Sequence, residues 1–256
     1  MIPKDMLLDT AKRKGLSNRE HMEKDYFQDL LLYHLCKRTN QFAFKGGTAL
    51  YKLYSLPRFS EDLDFSILGS VGATSASDAT SASDAKSVVE GAAKAAGMGV
   101  SNVKETKGSI LIKLGFSGLL TKQNTLRVDI STDNPVLRGF DVKTYVPAYA
   151  DINPFSLRAM KPDEMLAEKV HALLAREKAR DLYDLFFLMR IAKADRPLIE
   201  AKLGGFDLRF DAAALKKRVS LLERVWVPEL RPFVLTELPA FGAVRDFVVG
   251  GLEVTP

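Results

Sequence analysis

The sequence is poor in the residues on which disulfide and zinc chemistry depend. It holds one cysteine, Cys36, and three histidines, His21, His34 and His171. A single cysteine excludes an internal disulfide, and Cys36, set in a helix among Leu32 and Leu35, reads as packing. The histidines have neither metal-ligand spacing nor a cysteine partner, which argues against zinc. No apolar run approaches the ~20 residues that cross a bilayer, so no membrane partner is expected. The start, Met1-Ile2-Pro3-Lys4-Asp5, lacks the basic-then-apolar layout of a secretory signal, and with the lone cysteine this predicts a cytoplasmic protein. Also absent is a Gly-x-x-x-x-Gly-Lys-Ser/Thr loop or a Gly-x-Gly-x-x-Gly turn at a strand-to-helix junction, which removes the usual ATPase and dehydrogenase readings.

What is present is an ordinary globular composition, 46% hydrophobic and 27% charged over 256 residues, enough for two modest lobes. A formal charge of +5 and a pI near 9.1 suit a polyanionic partner such as RNA or a nucleotide. One or two helices are expected over residues 9 to 39, where Phe27, Leu30, Leu31 and His34 recur at helical spacing. Residues 42 to 50 read as a strand, a glycine turn and the start of a helix that runs through Tyr54 before Pro57 ends it. Leu63, Phe65 and Ile67 then alternate with Asp62, Asp64 and Ser66, the pattern of a strand with one buried face. Residues 73 to 84 repeat Ala-Thr-Ser-Ala-Ser-Asp, a low-complexity stretch read as a surface loop before a helix over residues 85 to 96. Strands follow over residues 109 to 116 and 126 to 130. Beyond Pro154 the pattern turns helical, over residues 163 to 176, 179 to 191 and 212 to 225. The expected fold is therefore α/β (α+β), a mixed sheet with flanking helices in a lobe of residues 1–153, and a mainly helical lobe of residues 154–256.

Nucleotidyl transfer needs divalent cations to neutralise a triphosphate and align the attacking and leaving oxygens, and magnesium prefers carboxylate oxygens. Asp62-Leu63-Asp64 meets that need, because residues i and i+2 of a strand share a face. Gly46, Gly47 and Thr48 open a helix just before it, where bare amides and a hydroxyl can hold phosphate. A glycine turn followed by Asp-x-Asp resembles the nucleotidyltransferase superfamily signature, with a slightly longer spacer than usual. More specifically, Phe44-Lys45-Gly46-Gly47-Thr48-Ala49-Leu50 together with Arg58-Phe59-Ser60-Glu61-Asp62-Leu63-Asp64-Phe65 looks like the AbiEii toxin family, which includes the MenT toxins. A third block, from Glu164 through Lys169 to Arg180-Asp181, is similar to that family's helical motif. The resemblance covers residues 40 to 190.

In the helix from residue 163, Leu166, Val170 and Leu173 form a stripe with Lys169 beside it, so that its ammonium can snorkel to water or serve as a point charge for a triphosphate. Asp181 is drawn inward near a helix start, as a cap or a contact for Lys169. Arg180 and Asp184, four apart, read as an exposed pair. A third carboxylate is expected on a neighbouring strand, as metal ligand and base. Asp129 in Leu126-Arg127-Val128-Asp129-Ile130 fits, and Asp133 fits less well. The resemblance implies that Ser60 lies at the active site, and Arg58 is either a phosphate contact or a surface charge.

The resulting expectation is a metal-dependent nucleotidyltransferase toxin of a toxin–antitoxin system. Asp62, Asp64 and Asp129 would hold magnesium, with manganese as the alternative. Gly46, Gly47, Thr48, Arg58 and Lys169 would bind the nucleoside triphosphate, and Asp62, Asp64, Ser60, Lys169 and Asp181 would carry the chemistry, with the helical lobe closing the cleft. The resemblance implies RNA, notably the tRNA 3′ end, as acceptor, a block of translation, and a cognate antitoxin. Alternatives are transfer to a small molecule or a protein hydroxyl, and a non-catalytic nucleotide-binding module.

Overall fold

A computed structural model describes residues 1–68 and 82–253. Most of the tandem repeat, residues 73 to 81, lies outside them, and residues 82 to 84 already belong to a helix. The chain divides into two units, one of Met1–Ser55, Phe59–Val136 and Phe140–Ala159, the other of Leu56–Arg58, Leu137–Gly139 and Met160–Pro256.

The first unit begins with helices α1 (Lys4–Arg13) and α2 (Arg19–Cys36), then strand β1 (Phe42–Lys45), helix α3 (Gly46–Tyr54) and strand β2 (Leu63–Ile67). Helix α4 (Ala82–Ala95) leads to β3 (Gly99–Glu105), β4 (Ser109–Ser117), β5 (Gln123–Ser131), β6 (Phe140–Tyr145) and β7 (Phe155–Met160). Among the described residues these strands form one mixed sheet in the order β3-β4-β5-β2-β1-β7-β6. β1 runs antiparallel to β2 and parallel to β7, β2 is parallel to β5, and β3, β4 and β5 form an antiparallel meander. The last segment of the first unit ends at Ala159, with the buried apolar positions Leu157 and Ala159 in β7.

The alternation predicted for β4 and β5 is realised. Ile110, Ile112, Leu114 and Phe116 pair with Ile130, Val128, Leu126 and Asn124, and the apolar ones are buried. Helix α2 packs on β5, with Phe27 stacked on Phe116 at 3.9 Å between ring centroids. Asn18 caps α2 by accepting from the amides of Glu20 and His21. The stripe expected on α2 is only partly the buried one. Leu30 and His34 are half-exposed, whereas Glu23, Asp25, Gln28 and Asp29 are wholly buried.

Those acids are tolerated because each has partners. The Lys52 ammonium from α3 lies 2.9 Å from Asp25 and 2.6 Å from Asp29, Tyr149 donates to Asp25 (2.7 Å), and Tyr145 donates to Asp29 (3.0 Å). Burial works to lower the Lys52 pKa, but the two carboxylates outweigh it and hold it above the ordinary lysine value. Burial pushes the Cys36 thiol up to about 12.

The second unit is helical: α5 (Pro162–Ala175), α6 (Ala179–Leu188), α7 (Arg196–Gly204), α8 (Ala212–Leu221), α9 (Glu223–Leu230) and α10 (Phe241–Glu253). Pro162 at the first turn and Asp163 start α5 as predicted, and Leu166, Val170 and Leu173 are buried. Helix α5 packs on α6, α7 and α8. The single helix expected over residues 212 to 225 is two, broken at Leu222, and Trp226 packs its ring against Phe241 of α10. Among the described residues, no helix is long and apolar enough to cross a membrane.

Candidate active site

The carboxylates singled out in the sequence meet in the middle of the sheet. β2 and β5 are parallel neighbours, and their register pairs Asp64 with Asp129. On the other side of β2, the same register row pairs Asp64 with Lys45, a mostly buried residue at the end of β1. Leu63, Val128 and Ile130 fill the opposite face, so both carboxylates stand on the one that reaches solvent, each half-exposed. Hard oxygen donors held side by side in this way suit magnesium.

Asp62, just before β2, is engaged differently. Arg127 grips its carboxylate bidentately, Nε donating at 3.0 Å and Nη2 also in contact. Among the described residues, no three His, Cys, Asp or Glu side chains converge closely enough to hold a metal ion. Asp64 and Asp129 thus stand as a register pair, with Asp62 restrained by Arg127.

The glycine turn lies against this pair. Gly46 starts α3 at φ +73°, a conformation that side chains disfavour, and a Cβ there would fall 2.2 Å from an Asp64 carboxylate oxygen. Gly46 is thus required twice, by the backbone and by the closeness of Asp64. Gly46→Ala is expected to cost about 1–2 kcal/mol in urea unfolding from the left-handed backbone alone, and to displace Asp64 as well, lowering nucleotide transfer beyond what the lost stability explains. Wild-type transfer in that variant would show that the contact is incidental.

Thr48 is fully buried and its hydroxyl donates to the Asp62 carbonyl, so it ties α3 to the approach of β2. Ser60 is nearly buried. Its carbonyl and that of Glu61 accept from the Gln28 amide at 2.8 and 2.9 Å, while Lys24 pairs with the Glu61 carboxylate at 2.6 Å. The run Phe59–Asp62 is in this way strapped to α2.

The remaining predicted residues belong to the helical unit. Arg58 is no surface charge: it is buried, and its Nε and Nη2 donate to Asp184, both at 2.6 Å. The reading of Asp184 as an exposed partner of Arg180 is therefore corrected. Asp184 is wholly buried and also takes Lys169 at 2.7 Å, whereas Arg180 lies over the Phe233 ring. Asp181 accepts from Lys169 (2.9 Å) and from Arg176 (2.8 and 3.1 Å). Burial works to raise the Asp181 and Asp184 pKa values, but Lys169 with Arg176, and Arg58 with Lys169, pull them below the ordinary carboxylate range.

Residues 30–241 match the family described as "Nucleotidyl transferase AbiEii toxin, Type IV TA system". The chain belongs to the AbiEii toxin family. Among solved structures it is similar to MenT4, a nucleotidyltransferase toxin from Mycobacterium tuberculosis H37Rv, at 23% identity and a TM-score of 0.69, over 98% of this chain and 88% of that one. It is also similar to JHP933 from Helicobacter pylori, at 22% identity and a TM-score of 0.55, over 93% and 95% of the two chains. At these identities the likeness is one of fold. No curated protein matches the sequence.

Three AbiEii-chain residues of this constellation escaped sequence reasoning. Asp184 was in view, three after Asp181 and so on the same helix face. Arg127 was too, two before Asp129 and so on the same strand face. Gln28 carried no signal, because nothing in α2 marks an amide that will meet two carbonyls from a later segment.

Proposed function

We propose that this AbiEii-family chain is a metal-dependent enzyme that transfers a nucleotide from a nucleoside triphosphate to the 3′ end of tRNA and thereby blocks translation in the cytoplasm. The observation that carries this reading is the pairing of Asp64 with Asp129 on one face of the sheet, with Gly46 pressed against Asp64.

In this reading Asp64 and Asp129 hold magnesium, or manganese in its place, and Asp62 joins them when Arg127 releases it. The metal, when bound, neutralises the triphosphate and lowers the barrier to attack at the α-phosphorus. The amides of Gly46 and Gly47 at the start of α3 offer donors to phosphate oxygens. Asp129 takes the proton from the acceptor hydroxyl, whose oxygen bonds to the α-phosphorus as the bond to the departing pyrophosphate breaks. Ser60, strapped to α2, keeps Asp62 in place through the chain between them. A cognate antitoxin is the expected partner of a type IV system.

The test is incubation with each of the four labelled triphosphates and total tRNA, with and without a chelator. Label on tRNA, lost with the chelator, is the expected result. Label confined to the protein or to a small molecule, or chelator-resistant transfer, would overturn the reading.

A further inference from the structure

Outward from Asp129, the same face of the sheet continues over β5, β4 and β3. A groove of about 710 Å³ opens there, lined among others by Lys24, Lys113, Gly115, Ser117, Gln123 and Thr125. Lys113 is the register partner of Arg127, which holds Asp62, so the groove lies along the strand that carries Asp129 and the one beside it.

Its floor is bare. Gly115 of β4 lines it, and a Cβ there would meet nothing within 4 Å; its register partner Gly99 of β3, beside the lining, is equally open. Neither has a positive φ, and no protein atom needs the space. The β3–β4 register shifts between Val100 and Asn102, just beyond the glycine pair, and a bulge so close accounts by itself for a glycine at Gly99. Gly115 lies on the opposite strand, where glycine weakens the strand by about 0.5–1 kcal/mol relative to alanine and leaves room for something from outside to approach closely.

Apart from Phe116 the rest of the lining is small and polar, with the ammonium of Lys113, that of Lys24, which is paired with Glu61, and one acid, Glu20. Lys113 is exposed, and Lys104 and Asn102 of β3 lie exposed beside it. The one aromatic residue of the lining, Phe116, is buried and stacked on Phe27, so the groove offers no exposed ring to stacked bases. A sugar–phosphate backbone is, since its phosphates take lysines and its hydroxyls take Ser, Thr and Gln.

We propose that this groove carries the single-stranded end of the RNA acceptor, backbone down over Gly99 and Gly115, with Lys113 on a phosphate. The proposal builds on the nucleotidyltransferase reading above and adds the path of the acceptor.

Two variants of the full-length protein test it by direct titration with labelled tRNA, independent of activity, across a series of salt concentrations. Lys113→Ala should weaken binding and reduce the slope of log affinity against log salt by about 0.7–1, one phosphate contact. Gly115→Val should weaken binding about tenfold by filling the floor, while its melting temperature is kept or raised, since valine suits a strand. A purely structural role for Gly115 predicts the reverse. Unchanged affinity in both variants overturns the groove, as does a change in self-association in place of RNA binding, which would make this face an interface between copies. If wild-type protein binds tRNA but labels it with no triphosphate, the catalytic reading fails while the groove stands or falls on the titration.

Discussion

Asp64→Asn is expected to abolish nucleotide transfer, by about 10³-fold or more, equivalent to ~4 kcal/mol of transition-state stabilisation, and to abolish growth inhibition when the toxin is expressed. The reason is positional. Asp64 has a second carboxylate beside it, Asp129, and a glycine backbone against it. The amide of asparagine preserves its shape, so the melting temperature should hardly move, and the loss can be read as chemistry. Asp62→Asn should be milder, because part of what it removes is the ion pair with Arg127. A toxic, fully active Asp64→Asn variant would mean that the family's fold is retained here for something other than metal-assisted transfer.

The second large effect is on stability. Asp184→Ala removes the anion that faces Arg58 and Lys169 and leaves buried cations without it. Breaking a buried pair by deleting one side typically costs about 3–5 kcal/mol, so the denaturant midpoint should fall sharply. Stability should also change its dependence on acid. A carboxylate depressed in the folded state contributes fully above its unfolded pKa, near 3.8, and the contribution is lost as pH falls towards the lower folded value. Wild type should therefore lose stability below pH ~4, partly through Asp181 and Asp184, and Asp184→Ala should show a shallower decline there. Lys169→Met separates two roles for the lysine. Loss of transfer in a variant as stable as wild type assigns it to the chemistry, whereas loss of both assigns it to the ion network.

The parts of the fold that were legible in the sequence are those where burial of one face imposes a period. The alternation in β2, β4 and β5 and the Leu166, Val170, Leu173 stripe of α5 are of this kind. β3 was invisible because nearly all its residues are exposed, so no apolar period exists to be read. α2 misled for the opposite reason: its acids are inside, and apart from Lys14 the partners that make that tolerable, among them Lys52, Tyr145, Tyr149 and Thr121, are distant in sequence. At the site, the Asp-x-Asp and the glycine turn were readable because each is local. Arg58 and Asp184 were not, since their meaning is the salt bridge between them, and a charged residue in a sequence looks the same whether it will face water or a partner 126 positions away.

The charged interior of α2 also sets an order of events during synthesis. Asp25 and Asp29 leave the ribosome well before Lys52, and much earlier than Tyr145 and Tyr149. Until those arrive, Asp25 has only Lys14 as a counterpart and Asp29 lacks its hydrogen-bonded partners, so seating α2 would bury an under-compensated carboxylate, a penalty of several kcal/mol. A nascent or truncated polypeptide is therefore held back from docking the helix that straps down Ser60 and Glu61. For a member of a toxin family, this would confine the hazard to finished copies.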